Sequence, residues 1–215
     1  MRIVAAVQRR LMTSVVGQLG RPHGLVGHGV AIMLNRGNRW AVESAVAVSG
    51  AGPSEVVADI GFGGGIGLSL LLNRVGASGL VHGIDISRDM LARARSQYSA
   101  EIRAGRLQVS EGSLGELPLD DGSLDVAITV NTLYFVSNLD QAFTEMFRVL
   151  RPGARLVVGV VDPDMQARLP VIRDGVNIRP ITEIAAAIEN AGFEHAEHQA
   201  LARGPLRFHL LIARR

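Results

Sequence analysis

Apolar positions along this chain follow two rhythms. Up to about residue 52 they recur at helical spacing, as in Ile3, Val4, Val7, Leu11 and Val15 with Arg2, Arg9 and Arg10 between them. Glycine and proline break that pattern in GQLGRPHGLVGHG, and it ends at the turn-like SGAGPSE. From Val56 onward, short apolar runs alternate with amphipathic segments, the βαβ rhythm of a mostly parallel sheet with helices on both faces. The runs predict strands over Val56–Ile60, Leu80–Ile84, Leu107–Val109, Leu124–Val130, Arg155–Val161, Phe193–Ala200 and Leu206–Ala213. Helices fit Ile66–Arg74, Arg88 to about Ile102, Leu139–Leu150 and Ile181–Asn190, with Ser87 as an N-cap and Asp89 in the first turn.

One stretch departs from ordinary patterning. VVADIGFGGGIGLSLLL runs a strand into five glycines within the seven residues Gly61–Gly67 and then into a helix. Glycine is destabilising unless the backbone must turn left-handed or approach something closely, so the run marks a ligand site at the carboxyl end of the first strand. A phosphate loop would require GxxxxGK[ST], and the chain contains no lysine. The dinucleotide fingerprint GxGxxG requires a third glycine where this chain has Ile66 or Leu68, depending on the frame. What remains is Asp59-x-Gly61-x-Gly63-x-Gly65, with Phe62 inside the run: an acid at the strand end followed by glycines at alternate positions.

Composition narrows the picture further. The 215 residues, 47% hydrophobic, suffice for one domain with a full core. The absence of cysteine excludes disulfide and thiol chemistry and fits a cytoplasmic protein. A pI near 9.9 suggests nucleic acid, but all 22 basic side chains are arginine and the net charge is only +2, so arginine's high pKa inflates the value. The arginines are scattered and aromatics few, so no basic stripe with stacking platforms forms, which argues against a nucleic-acid partner. The N-terminus reads as an amphipathic helix rather than a signal peptide, and no apolar run reaches bilayer-spanning length.

Four motifs in order, VADIGFGGG, VHGIDISRDMLARAR, GSLGELPLDDGSLDVAITVNTLYF and FRVLRPGARLVVG, resemble the class I S-adenosylmethionine-dependent methyltransferases, in particular the small-molecule, menaquinone-biosynthesis-like group. The resemblance covers roughly residues 54–213. It implies a single-domain α/β fold: a doubly wound, Rossmann-like, seven-stranded, mostly parallel sheet with the last strand antiparallel. A helical N-terminal lid would occupy residues 1–52 and the cofactor-binding core residues 53–215. It also implies the cofactor S-adenosyl-L-methionine and methyl transfer to a small organic acceptor, lipidic or a secondary metabolite among the options. Asp59, Gly61 and Gly63 would meet the methionine ammonium, with Phe62 and Gly65 in the same loop. Asp85 would take the ribose hydroxyls and Ile86 wall the adenine. Ser113 stands where the family usually has an acid for the adenine amino group, so Ser113 or the Leu114 backbone would carry that contact. Asn131 would line the methyl-transfer centre.

The remaining polar residues are weaker candidates. His82 and His209 fall in strands, His195 and His198 lack an acid at a telling spacing, and no metal is expected. His28, in the N-terminal segment that would cover the cofactor, and Tyr134, three residues past Asn131, are the candidates for acceptor-side chemistry. The apolar face of the first helix must be buried on the core, on a second subunit in a homodimer, or on a membrane surface carrying the substrate, without stable insertion. A nucleic-acid methyltransferase and a cofactor-binding protein without transfer activity are the rival readings.

Overall fold

The computed structural model describes residues 39–167 and 176–215. A helix over residues 39–48 (α1) leads into β1 (Val56–Ile60), α2 (Ile66–Val75), β2 (Leu80–Asp85), α3 (Arg88–Gln97), α4 (Ser99–Arg103) and β3 (Leu107–Glu111). Then follow β4 (Leu124–Val130), a 3-10 turn over Leu133–Phe135, α5 (Leu139–Val149), β5 (Leu150–Val161), α6 (Pro163–Ala167), α7 (Ile181–Asn190), β6 (Glu197–Arg203) and β7 (Leu206–Arg214). The seven strands form one sheet in the order β3-β2-β1-β4-β5-β7-β6. β1 to β5 are mutually parallel, and β7 runs antiparallel to both β5 and β6. This is the doubly wound sheet expected from the sequence, with its last strand reversed.

Near-continuous apolar strands such as LDVAITV are buried on both faces, as a parallel sheet between helical layers requires. One face packs Ala41, Ala45, Leu68, Leu71, Met90 and Leu91 against Val57, Val81, Ile128 and Phe208. The other packs Phe143, Met146, Ile184 and Ile188 against Ala58, Ala127, Leu156 and Leu211. The strand order reverses between β1 and β4, and crevices for ligands form at the carboxyl ends of strands at such a switch point. Residues 39–48, within the segment expected as a lid, bury Ala41, Val42, Ala45 and Val46 on the sheet's helical layer. The rest of that segment, including the amphipathic helix expected at its start, lies outside the described residues.

Several element bounds differ from the sequence expectation: β5 begins at Leu150 rather than Arg155, and β3 runs on to Glu111 rather than ending at Val109. The helix predicted from Arg88 to about Ile102 divides at Tyr98, whose backbone (φ −109°, ψ 29°) leaves the helical region. The sixth strand begins at Glu197 rather than Phe193. Phe193 and Ala196 are apolar because they are core residues in the turn after α7, where Phe193 stacks edge-on against Phe147 at 5.2 Å. Among the described residues, no helix is long and apolar enough to cross a membrane.

Candidate functional site

The carboxyl ends of β1, β2 and β4 bring the predicted residues together. β1 delivers Asp59 and then the loop Gly61–Gly65, in which Gly61, Gly63 and Gly65 have φ of 76°, 50° and 83°. All three are in the left-handed region that side chains rarely adopt, so the alternate-glycine spacing is a backbone requirement. Gly61 is further constrained, because a Cβ there would lie 2.4 Å from Thr132 Oγ1. That close approach is made by the chain's own β4 loop. Gly63, by contrast, has only the Gly61 carbonyl within 4.0 Å of such a Cβ.

The loop is fastened to the end of β2. Gly61 N–H donates to the Ile84 carbonyl at 2.7 Å. Gly63 N–H donates to Asp85 Oδ2 at 2.8 Å, and Ser87 N–H to Asp85 Oδ1 at 2.8 Å. Asp85 is 7% exposed; burial raises its pKa, and the amides of Ser87, Gly63 and Ile86 partly offset that. Phe62 is buried within the loop, Ile86 is half-buried beside Asp85, and α3 starts from the Ser87 cap. Gly112 N–H bonds the Asp85 carbonyl at 3.2 Å, which brings the start of the β3 loop alongside. There Ser113 is exposed, pairs backbone to backbone with Glu116, and precedes the buried Leu114.

Asp59 has the most perturbed environment at this edge. It is 4% exposed, and burial, seconded by repulsion from Asp85, pushes its pKa up to about 7. Among the described residues, no hydrogen bond offsets either effect. Its Oδ2 rests on the first turn of α2, where a Cβ on Gly67 would lie 2.0 Å away, and Val42 of α1 closes over the same spot. A buried carboxyl beside a second acid suits a site that takes a cationic group.

At β4, Asn131 adopts a left-handed conformation (φ 59°), with its N–H on the Gly159 carbonyl at 2.8 Å. Tyr134 O–H donates to Asn131 Oδ1 at 2.9 Å and accepts from Val161 N–H at 2.5 Å. Desolvation raises the Tyr134 pKa far above its ordinary value. Its hydroxyl therefore ties the ends of β4 and β5 and fixes the Asn131 amide. His28 lies outside the described residues. Thr132, Gly67 and Tyr98, whose hydroxyl donates to the Gly65 carbonyl at 2.8 Å, escaped the sequence reading. No spacing rule marks Thr132 or Tyr98, whereas Gly67 stood in the glycine run itself.

Comparison with known proteins agrees with this geometry. Residues 58–158 match the family described as a methyltransferase domain. An arsenite methyltransferase of Halobacterium salinarum is 31% identical over 157 residues, 67% of this chain and 39% of that protein. The chloroplastic 2-phytyl-1,4-beta-naphthoquinone methyltransferase of Arabidopsis thaliana is 35% identical over 116 residues, covering 53% of this chain and 44% of that one. The chain thus spans less than half the length of these relatives. Among solved structures, an S-adenosylmethionine-dependent methyltransferase from Aquifex aeolicus superposes with a TM-score of 0.69 at 20% identity, covering 94% of this chain and 97% of that one. Residues 58–158 thus belong to the methyltransferase-domain family, and the sheet has the fold of the class I S-adenosylmethionine-dependent methyltransferases.

Proposed function

We propose that the chain transfers a methyl group from S-adenosylmethionine to a small organic acceptor. The observation that carries this reading is Asp59, a buried carboxyl whose pKa burial and the neighbouring Asp85 push up to about 7, set against the glycine loop. S-adenosylmethionine, when bound, supplies an electrophilic methyl carbon on a sulfonium and a cationic amino group. Asp59 would release its proton to solvent and, as a carboxylate, hold the cationic amino group, with the backbone of Gly61 and Gly63 beside it. Asp85 accepts the ribose hydroxyls on a carboxylate already oriented by the Gly63 and Ser87 amides. Ile86 offers apolar surface to the adenine, and the Ser113 hydroxyl or the Leu114 backbone meets its amino group. On the acceptor side stands Asn131, oriented by Tyr134. Alignment supplies most of the acceleration, since effective molarities on the order of 10⁵ M arise from orientation alone.

Relatives that act on arsenite and on a naphthoquinone support a small-molecule acceptor. Arsenite is disfavoured, because a soft, thiophilic centre is held by thiolates and the chain has no cysteine. A carbon, oxygen or nitrogen nucleophile on an organic scaffold, such as a quinone, fits better. The test is transfer of tritium from methyl-labelled cofactor into a small-molecule extract and, in parallel, into bulk RNA. Label in the extract supports the reading; label in RNA alone, or in neither, overturns it.

A further inference from the structure

Tyr98 is the residue at which α3 stops and the chain turns into α4. The ring is 8% exposed, and its hydroxyl reaches the glycine loop 33 residues earlier in the chain. There it donates to the Gly65 carbonyl at 2.8 Å. Gly65 is the N-cap of α2, has no side-chain cap, and is left-handed. Its carbonyl is the first acceptor of the helix, yet the helical donor, Ser69 N–H, lies 3.4 Å away, at the limit of a hydrogen bond. The phenol makes the shorter bond at this corner. Ser69 also hydrogen-bonds the Tyr98 side chain, and the Asp59 charge acts on the phenol.

The loop is consequently held at each of its three left-handed glycines. Gly61 and Gly63 are tied to the end of β2, by the Ile84 carbonyl and the Asp85 carboxylate. Gly65 is tied by Tyr98, from the helical layer. The first two ties involve the β2 end that receives the ribose; the third stands apart from it. The same corner sets the first turn of α2, where Gly67 supports Asp59.

We propose that Tyr98 is a positioning residue for the cofactor: its hydroxyl fixes the turn at Gly65 and so places the loop amides and the seat of Asp59 before the ligand arrives. This inference rests on the proposed cofactor. The test compares the full-length Tyr98→Phe variant with wild type and with Ile188→Val, a small truncation in α7 on the opposite face of the sheet. Without ligand, Tyr98→Phe is expected to speed amide exchange over residues 61–69, while Ile188→Val leaves that segment unchanged. The dissociation constant for S-adenosylhomocysteine is expected to rise roughly three- to tenfold, the scale of one hydrogen bond. The KM for S-adenosylmethionine should rise by the same factor with kcat retained, the mark of lost uniform binding. Unchanged exchange in the loop, or an affinity change no larger than that of Ile188→Val, overturns the proposal. If wild type itself fails to bind S-adenosylhomocysteine, the cofactor reading falls, and loop exchange still decides whether Tyr98 sets the turn.

Discussion

Replacing Asp59 by asparagine should stabilise the ligand-free protein while disabling its cofactor site. An unfolded aspartate ionises near 3.8, whereas Asp59 in the fold holds its proton to about 7. Between those values the folded state binds more protons than the unfolded one, so stability falls as pH rises across the window and levels off above it. The gap is roughly three pH units at about 1.4 kcal/mol each, an upper bound of about 4 kcal/mol. Asp59→Asn removes the charge and keeps the shape against Gly67. The variant should match wild type near pH 4 and exceed it by about 2 to 4 kcal/mol at pH 8. Urea unfolding at several pH values reads this out. Trp40, the single tryptophan, packs edge-on against buried Phe208 at 6.3 Å and reports the transition by its fluorescence. Saturating S-adenosylhomocysteine should then stabilise wild type and leave the variant almost unmoved. A variant less stable than wild type at pH 8, or a difference equal at pH 4 and pH 8, would refute the reasoning.

Two further substitutions probe the surroundings. Gly67→Ala would place a methyl 2.0 Å from Asp59 Oδ2, so stability should drop by about 1 to 3 kcal/mol and S-adenosylhomocysteine binding should be lost, as measured by denaturation and titration; unaltered affinity would mean Asp59 is not the ammonium partner. Tyr134→Phe leaves Val161 N–H without its acceptor and should cost about 1 to 3 kcal/mol. Because desolvation pushes the tyrosine pKa far up, the wild-type pH–rate profile should carry no Tyr134 limb below pH 10, and the appearance of one that vanishes in the variant would assign it an acid–base role.

The local parts of this site were legible because local chemistry dictates them. Glycines 61, 63 and 65 read correctly as special backbone positions, since positive φ excludes most side chains. Asp59 and Asp85 end β1 and β2, where βαβ order brings them to one edge. Contacts between distant segments were not legible. Nothing in NTLYF reveals that Thr132 fills the space beside Gly61, 71 positions earlier, and an amphipathic run through RARSQYSAEIR conceals the break at Tyr98. Phe193 read as a strand residue because apolarity marks burial whether the backbone is extended or turning.

The central claim is that the carboxyl edge of β1, β2 and β4 binds S-adenosylmethionine through Asp59, Asp85 and the glycine loop. Isothermal titration of wild type and Asp85→Ala with S-adenosylmethionine tests it most directly. The expected result is one site per chain, weakened in the variant by about 1 to 3 kcal/mol, the scale of hydrogen bonds to a charged group left unmade. No binding to wild type, or the same dissociation constant in a folded Asp85→Ala protein, would contradict it.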